Sequence, residues 1–376
     1  MNNDEKFGRR QLLSLGSVIM LSTALRIFPQ ESSVLSGRAA WLTPLAALPI
    51  LIIYMYFLSR FLSCRNEGEG FAELTLRALG KLPGRFVLGV IGLWMLLYTG
   101  CMLRTGAGRL VETIYPNSST APFSVVMGLL ALVGALAAPR SLVRIGRMLC
   151  PMLTGALLIF TLGALFEMDM ENIWPISADD IVPVLRGALV PADIITGAAC
   201  ALSFLTGSVP NDGKGSLPAL ELWALRFLLI LTLLSLALTG RFGTEICTRL
   251  THPFFVLVRN MVFFRSVERI EAFIVTLWIF PDFLLGSLFL WAGQYSLRLA
   301  MGFDAKSKKE KPFDFSSGRW VIWLSAAAVI ICAIVIAPDS ISLSRWSQVI
   351  VPLANLSLAF IVFPLIFIIG KQTKRL

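Results

Sequence analysis

Histidine occurs once in 376 residues, at His252, and charged residues fill only 15% of positions. The six cysteines include no C-x-x-C pair. A lone histidine cannot assemble a zinc site, and scattered cysteines argue against both a metal cluster and a disulfide framework. The patterns H-E-x-x-H and G-x-S-x-G and a Walker-type glycine loop are missing as well. With one imidazole, general-base chemistry of the common kind has little to draw on. No enzyme, no metal and no cofactor are expected. His252 precedes Pro253 and is read as shaping a turn, and Cys101, Cys150, Cys200 and Cys332 are read as small buried thiols in apolar runs.

What the chain has in quantity is apolar side chain, at 56% of residues. Several runs exceed the length of about 18 residues that crosses a hydrocarbon core of about 30 Å. The class is an all-α polytopic membrane protein in contact with membrane lipid. Ten spans fit, roughly 11–29, 40–61, 86–103, 122–138, 149–166, 184–205, 219–238, 272–292, 320–337 and 351–369. The net charge of +10 is no sign of nucleic-acid binding, because the basic residues cluster between apolar runs. Arg60, Arg65, Arg77, Lys81 and Arg85, then Arg140, Arg144 and Arg147, then Lys306–Lys311 and the basic tail mark one side. The acidic connection Glu167–Asp180 marks the other. Basic loops face the cytoplasm, so both termini are expected there. The polar start, 1–10, lacks a cleavage pattern, so the first apolar run is read as a retained helix.

Two segments stand apart from the spans. Residues 243–265 carry Ile246, Leu250, Phe254, Leu257, Val258 and Met261 at helical spacing but are too short an apolar stretch to cross. An amphipathic helix at the outer surface or against the bundle is expected. Residues 304–318 read as a charged cytoplasmic loop. The whole chain, 1–376, is one transmembrane domain in which 11–166 and 183–369 form two five-helix repeats. Because five is odd, the two have opposite topology. In transporters built that way, the first helix of each repeat is broken at the binding site.

The candidate residues follow from polar groups at membrane depth. Asp282 sits in the eighth span directly after Pro281. A carboxylate there is costly and is usually paired, hydrated or functional, and the proline loosens the turn beside it. Asp282 either couples to an ion or forms a buried pair with Arg26 of the first span. In the sixth span Pro191, Asp193, Thr196 and Gly197 make a break or, more plainly, a kink with small packing residues. Asp193, with Arg186, is read as somewhat better explained by solvation near the outer interface. Ser22, Thr23 and Ala24 are the counterpart in the first span, and Tyr98 and Thr99 line the cavity from the third or simply pack. Glu268, Arg269 and Glu271 open the eighth span, where acidic groups suit the helix dipole, and are read as architecture or a partner contact.

Two of these stretches carry a resemblance. Thr248-Arg-Leu-Thr-His-Pro-Phe-Phe-Val-Leu-Val-Arg-Asn and Glu268-Arg-Ile-Glu-Ala-Phe, with Leu277-Trp278 after it, resemble the B subunits of bacterial spore germinant receptors. Arg10-Gln-Leu, Phe28-Pro29 and Gly70-Phe-Ala-Glu-Leu are similar too. The resemblance implies a 5+5 inverted-repeat (LeuT-type) transporter fold of the amino acid–polyamine–organocation superfamily, with helices 1 and 6 broken. It implies the spore inner membrane, an A subunit and a lipoprotein C subunit as partners, and a small nutrient ligand such as an amino acid. The chain departs from the family pattern in span one, where Met20–Arg26 lacks a glycine, and in span six, where Pro191-Ala-Asp-Ile-Ile-Thr-Gly stands. The expected function is nutrient sensing that triggers germination through a transporter-like conformational change. The alternatives are a proton- or sodium-coupled amino acid transporter and a scaffold subunit that binds no ligand.

Overall fold

The computed structural model describes residues 7–210, 217–261, 270–303, 318–336 and 340–375. The loop expected at 304–318, apart from Gly318, lies outside them, as do Glu268, Arg269 and the side chain of Glu271. Every regular element among the described residues is helical.

Helix α1 (Arg9–Arg26) leads through one residue, Ile27, into α2 (Phe28–Ser36). Pro29 has no N–H to donate to the turn before it, which loosens the helix here. The neighbouring bonds persist, with Ile27 N on Thr23 O at 2.9 Å and Glu31 N on Ile27 O at 3.1 Å. The joint is therefore a kink. Gly37, at φ 56°, turns the chain into a short 3-10 stretch, α3 (Thr43–Ala46) and α4 (Leu48–Ser63). Helix α5 (Phe71–Leu79) stops at Gly80, whose φ of 87° suits only glycine, and α6 (Lys81–Thr113) starts there.

Helices α7 (Thr120–Leu136) and α8 (Pro139–Leu165) complete the first half. Then α9 (Ile181–Gly187) meets α10 (Leu189–Ser203) at Ala188, with Pro191 in the first turn of α10. Helix α11 (Leu217–Arg249) bends at Gly243, φ 72°, and α12 (Pro253–Arg259) follows. The amphipathic segment expected as one helix over 243–265 is thus two short pieces, because Gly243 breaks one end and Pro253 restarts the other. Phe254, Phe255, Leu257 and Val258 of α12 are buried against the bundle.

Helix α13 (Ile270–Ala300) runs unbroken through Pro281, which corrects the expectation of loosened backbone beside Asp282. It packs along α6 more extensively than any other described helix pair, and also against α7, α14 and α1, so packing on several sides holds the helix together through the proline. Helix α14 (Trp320–Val335) is followed by α15 (Ser340–Arg345), α16 (Val351–Ser357) and α17 (Phe363–Gln372). Two π-turns join these last three, each just before a proline, Pro352 or Pro364, that donates no N–H.

Six helical stretches among the described residues are long and apolar enough to cross a membrane: Phe28–Ser63, Lys81–Thr113, Pro139–Leu165, Ala178–Ser208, Ala219–Arg249 and Ser342–Gln372. Two further apolar helices, α7 and α14, are shorter, at 17 and 16 residues. Of the remaining expected spans, α1 carries Arg9, Arg10 and Arg26, and α13 carries Asp282 and Arg298. The six are counted among the described residues, and the side chains of 270–277 at the head of α13 are not among them. The chain is a multi-pass integral membrane protein.

The first helices of the two expected repeats, α1 and α10, pack against each other and are buried along most of their length. By contrast α7 leaves Val126, Leu129, Leu130 and Val133 exposed, as lipid-facing side chains should be. Glycines let the central helices approach. A Cβ on Gly92 of α6 would stand 3.0 Å from the Gly293 carbonyl of α13, and one on Gly293 would stand 3.2 Å from the Gly92 carbonyl. Gly92→Val should therefore overpack the crossing and destabilise the fold by about 1–3 kcal/mol. The check is thermal unfolding in detergent, and a melting point equal to wild type would refute the close crossing.

The two ends of the described chain, at Phe7 and Arg375, are tied to neighbouring segments. Phe7 N donates to Ser208 O at 3.2 Å, and Arg77 reaches the Arg375 carbonyl at 3.2 Å. There Arg65 donates to the carbonyls of Thr206, Val209 (3.0 Å) and Pro210 (3.3 Å), closing the end of α10 and its 3-10 extension. On the far side Asp169 N and Asn172 Nδ2 donate to Gly240 O at 2.9 and 2.8 Å, and Arg241 pairs with Glu167. These bonds clip the acidic connection to the bend in α11.

Candidate functional site

Two polar clusters occupy the core. The first is built on Asp282 of α13, which has 4% of its surface exposed. It accepts hydrogen bonds from Ser22 of α1 and Arg109 of α6, and Arg26 Nη1 of α1 lies 3.7 Å away. Arg26 also donates to the Met102 carbonyl at 3.1 Å and to its sulfur at 2.7 Å. Arg109 lies over the Trp278 ring, 4.6 Å from its centroid. Two guanidiniums thus share one carboxylate, away from water.

The sequence reading named Asp282 and Arg26 and missed Arg109. Helix α6 continues ten residues past Leu103, where the apolar run was expected to end. With Asp282 committed to two arginines and Ser22, it is poorly placed to exchange a coupling cation. Ser22, expected among the ligand-binding residues, donates to Asp282 in this cluster.

The second cluster lies where α1, α2, α6, α10 and α16 meet. Asp193 of α10 is buried, so its expected solvation is corrected; Arg186, on α9, is exposed. Asp193 accepts a 2.7 Å bond from Asn355 Nδ2, and Asn355 accepts a 2.9 Å bond from Trp94 Nε1. Gly197 allows that amide to come close, since a Cβ there would stand 3.0 Å from Asn355 Nδ2. Glu31 of α2, also buried, lies within the electrostatic reach of Asp193. Among the described residues neither carboxylate has a cationic partner. Two buried like charges without a cation form an arrangement that calls for a proton or a positively charged guest.

The other expected residues surround this cluster. Tyr98 is buried, within hydrogen-bond reach of Thr23, and its ring lies 4.7 Å from that of Phe289. Thr196 donates to the Asp193 carbonyl at 3.1 Å, and its own carbonyl receives Tyr54 at 3.4 Å. Thr99 spends its hydroxyl on Met95 O, 2.7 Å away in its own helix, and Ala24 is buried packing. Glu31, Asn355 and Trp94 were not found from sequence. Asn355 had a usable signal, as a lone amide in an apolar run.

Near the far side His252 starts α12, and its Nε2 lies 3.3 Å from Glu112. Burial pushes the imidazole below its ordinary 6.5, with the Glu112 contact opposing the shift. The folded state therefore binds this proton less readily than the unfolded one, and stability is lost as pH falls through 6.5. A His252→Gln variant should lose less melting temperature than wild type between pH 7.5 and 5.5, two test values chosen to lie about one unit either side of the ordinary histidine value. Parallel losses would contradict this. His252 thus does more than shape the turn expected of it. Among the described residues no group of three or more metal-binding side chains occurs.

No curated protein matches the chain. Among solved structures the fold is similar to Mhp1, a nucleobase-cation-symport-1 family transporter, in a closed conformation with bromovinylhydantoin bound. The TM-score is 0.56 at 14% identity, covering 96% of this chain and 82% of that one. It is similar also to a Na+-coupled sialic acid symporter in a substrate-bound outward-open state, with TM-score 0.53, 13% identity and coverage of 96% and 79%. The inward-facing conformation of Mhp1 gives 0.53 at 14% identity, covering 98% and 79%. At such identities the likeness is one of fold, that of the LeuT-type transporters. The model of the spore permease family, described as spore germination protein, matches residues 7–341, and the chain belongs to that family.

Proposed function

We propose that this chain is the membrane subunit of a spore germinant receptor that senses a small, amino-acid-like nutrient and responds with a transporter-like conformational change. The observation that carries the reading is the pair Asp193 and Glu31, buried with no cationic partner among the described residues at the meeting of α1–α2 with α10. An ammonium group suits that place, with Tyr98, Thr23, Thr196 and Gly197 around it.

On this reading the kinks at Ile27 and Ala188 are where helices 1 and 6 open when the ligand enters. The two halves, 11–166 and 183–369, then shift against each other. A ligand moves such an equilibrium only by binding one state better, and pairing the two carboxylates in one state supplies that difference. The subunit sits in the spore inner membrane with both termini cytoplasmic, where the basic segments gather, and Arg65 and Arg77 close the cytoplasmic end. Its partners are an A subunit and a lipoprotein C subunit, which receive the shift.

Deleting this chain from spores should abolish germination in response to at least one amino acid, and supplying it again should restore that response. Unchanged germination across a full amino acid panel would refute the proposal. Two unpaired carboxylates also suit proton coupling, which gives a second reading as an amino acid transporter. Proton-driven uptake into proteoliposomes, lost in Glu31→Gln, would favour it.

A further inference from the structure

We infer that the Arg109–Asp282–Arg26 cluster is an anion site that takes the carboxylate of a small apolar acid, reached from the membrane side. Two guanidiniums against one carboxylate leave a positive charge in the core. Arg109 is 2% exposed and Arg26 3%. Their donors are only partly used. Among the described residues Arg109 Nε and Nη1, Arg26 Nε and Trp278 Nε1 are buried with no hydrogen-bond partner. Glu112, one turn beyond Arg109 on α6, faces His252. Buried cationic donors left unmatched are costly, and an anion with two oxygens matches a guanidinium edge best.

A cavity reaches the cluster at one edge. It holds about 110 Å³ between α6, α7 and α13, has Arg109 and Asp282 in its lining, and is otherwise walled by apolar side chains such as Phe123, Met127 and Phe283. Val126, Leu130 and Ile279, all exposed, stand at its lipid-facing edge. The shape asks for a charged head and a short apolar body. The volume is smaller than the ~150 Å³ of a cavity that admits benzene, so a branched chain of a few carbons fills it. This site is separate from the Asp193 cluster and does not rest on the nutrient reading.

The test is titration calorimetry of the full chain in detergent with isovalerate, with decanoate, and with isovaleramide as the neutral match. Isovalerate should bind, isovaleramide should not, and Arg109→Gln should weaken binding at least about tenfold. Because Arg109→Gln also disturbs Asp282, Val126→Trp serves as a second variant. It blocks the mouth from an exposed position, keeps the wild-type melting point and loses the acid. Asp193→Asn should leave this binding unchanged. Binding of decanoate alone would overturn the small-acid inference, because a few carbons fill a cavity of this volume. The inference is overturned if neither acid binds, if isovaleramide binds as tightly, or if Val126→Trp binds like wild type.

Discussion

Replacing Asp282 with alanine should cost the fold about 3–5 kcal/mol, the expected penalty for removing one partner from a buried ion pair. The loss here is of the larger kind because Asp282 is shared. Without it Arg109 and Arg26 face each other in the core, both nearly fully buried. Among the described residues stacking on Trp278 is all that remains for Arg109, and Arg26 keeps only a carbonyl and a thioether of Met102. Neither neutralises a charge. The variant should accumulate poorly in the membrane and melt well below wild type once purified. A second change identifies the cause. Adding Arg109→Met to Asp282→Ala removes one of the stranded cations and should recover part of the loss, although each change alone is harmful. If the double variant is no better than the single one, charge burial is not the reason, and the two helices depend on packing alone.

Asp193→Asn should do the opposite, preserving the fold while weakening a nutrient amine. Asparagine occupies nearly the same volume, and its oxygen can still accept the bond that Asn355 now gives at 2.7 Å. The Trp94–Asn355 bond is untouched. What disappears is the negative charge beside Glu31. A charge-assisted hydrogen bond contributes about 1.5–3 kcal/mol, so affinity should fall by roughly one to two orders of magnitude. Melting temperature without ligand should stay the same or rise, because a buried charge has been removed near another of the same sign. Equal affinity in the two proteins would take Asp193 out of the ligand site.

The fold was legible in the sequence to the extent that its signals are about burial. Apolar runs gave the helices, and the lone Asp282 in one run pointed to Arg26 in another, because an unpaired charge at that depth is too costly to leave alone. Arg109 escaped because an arginine following an apolar run looks the same whether its helix ends there or goes on. Helix α6 goes on to Thr113. Glu31 escaped for the same reason in mirror image. Pro29 looks like the end of the first span, yet a new helix already starts at Phe28, one residue after α1 ends. A proline in an apolar run does not by itself break the helix. Pro281 sits in unbroken helix because α6, α7 and α1 pack around it, and tertiary packing outweighs the one hydrogen bond it removes. Asp193 was read from its position near a break, which suggested water. Its real surroundings, Asn355 and Glu31, come from elements far away in sequence that no local pattern connects to it.

Whether an ammonium group is what the paired carboxylates await can be measured directly. Purified full-length protein is titrated with a panel of amino acids and with the same molecules lacking the amino group. The account predicts at least one amino acid that binds, a deaminated partner that does not, and a marked loss of that binding in Glu31→Gln as well as in Asp193→Asn. If a deaminated analogue binds as tightly as its parent, or if both variants keep wild-type affinity, the site proposed between α1–α2 and α10 is not where the nutrient is read.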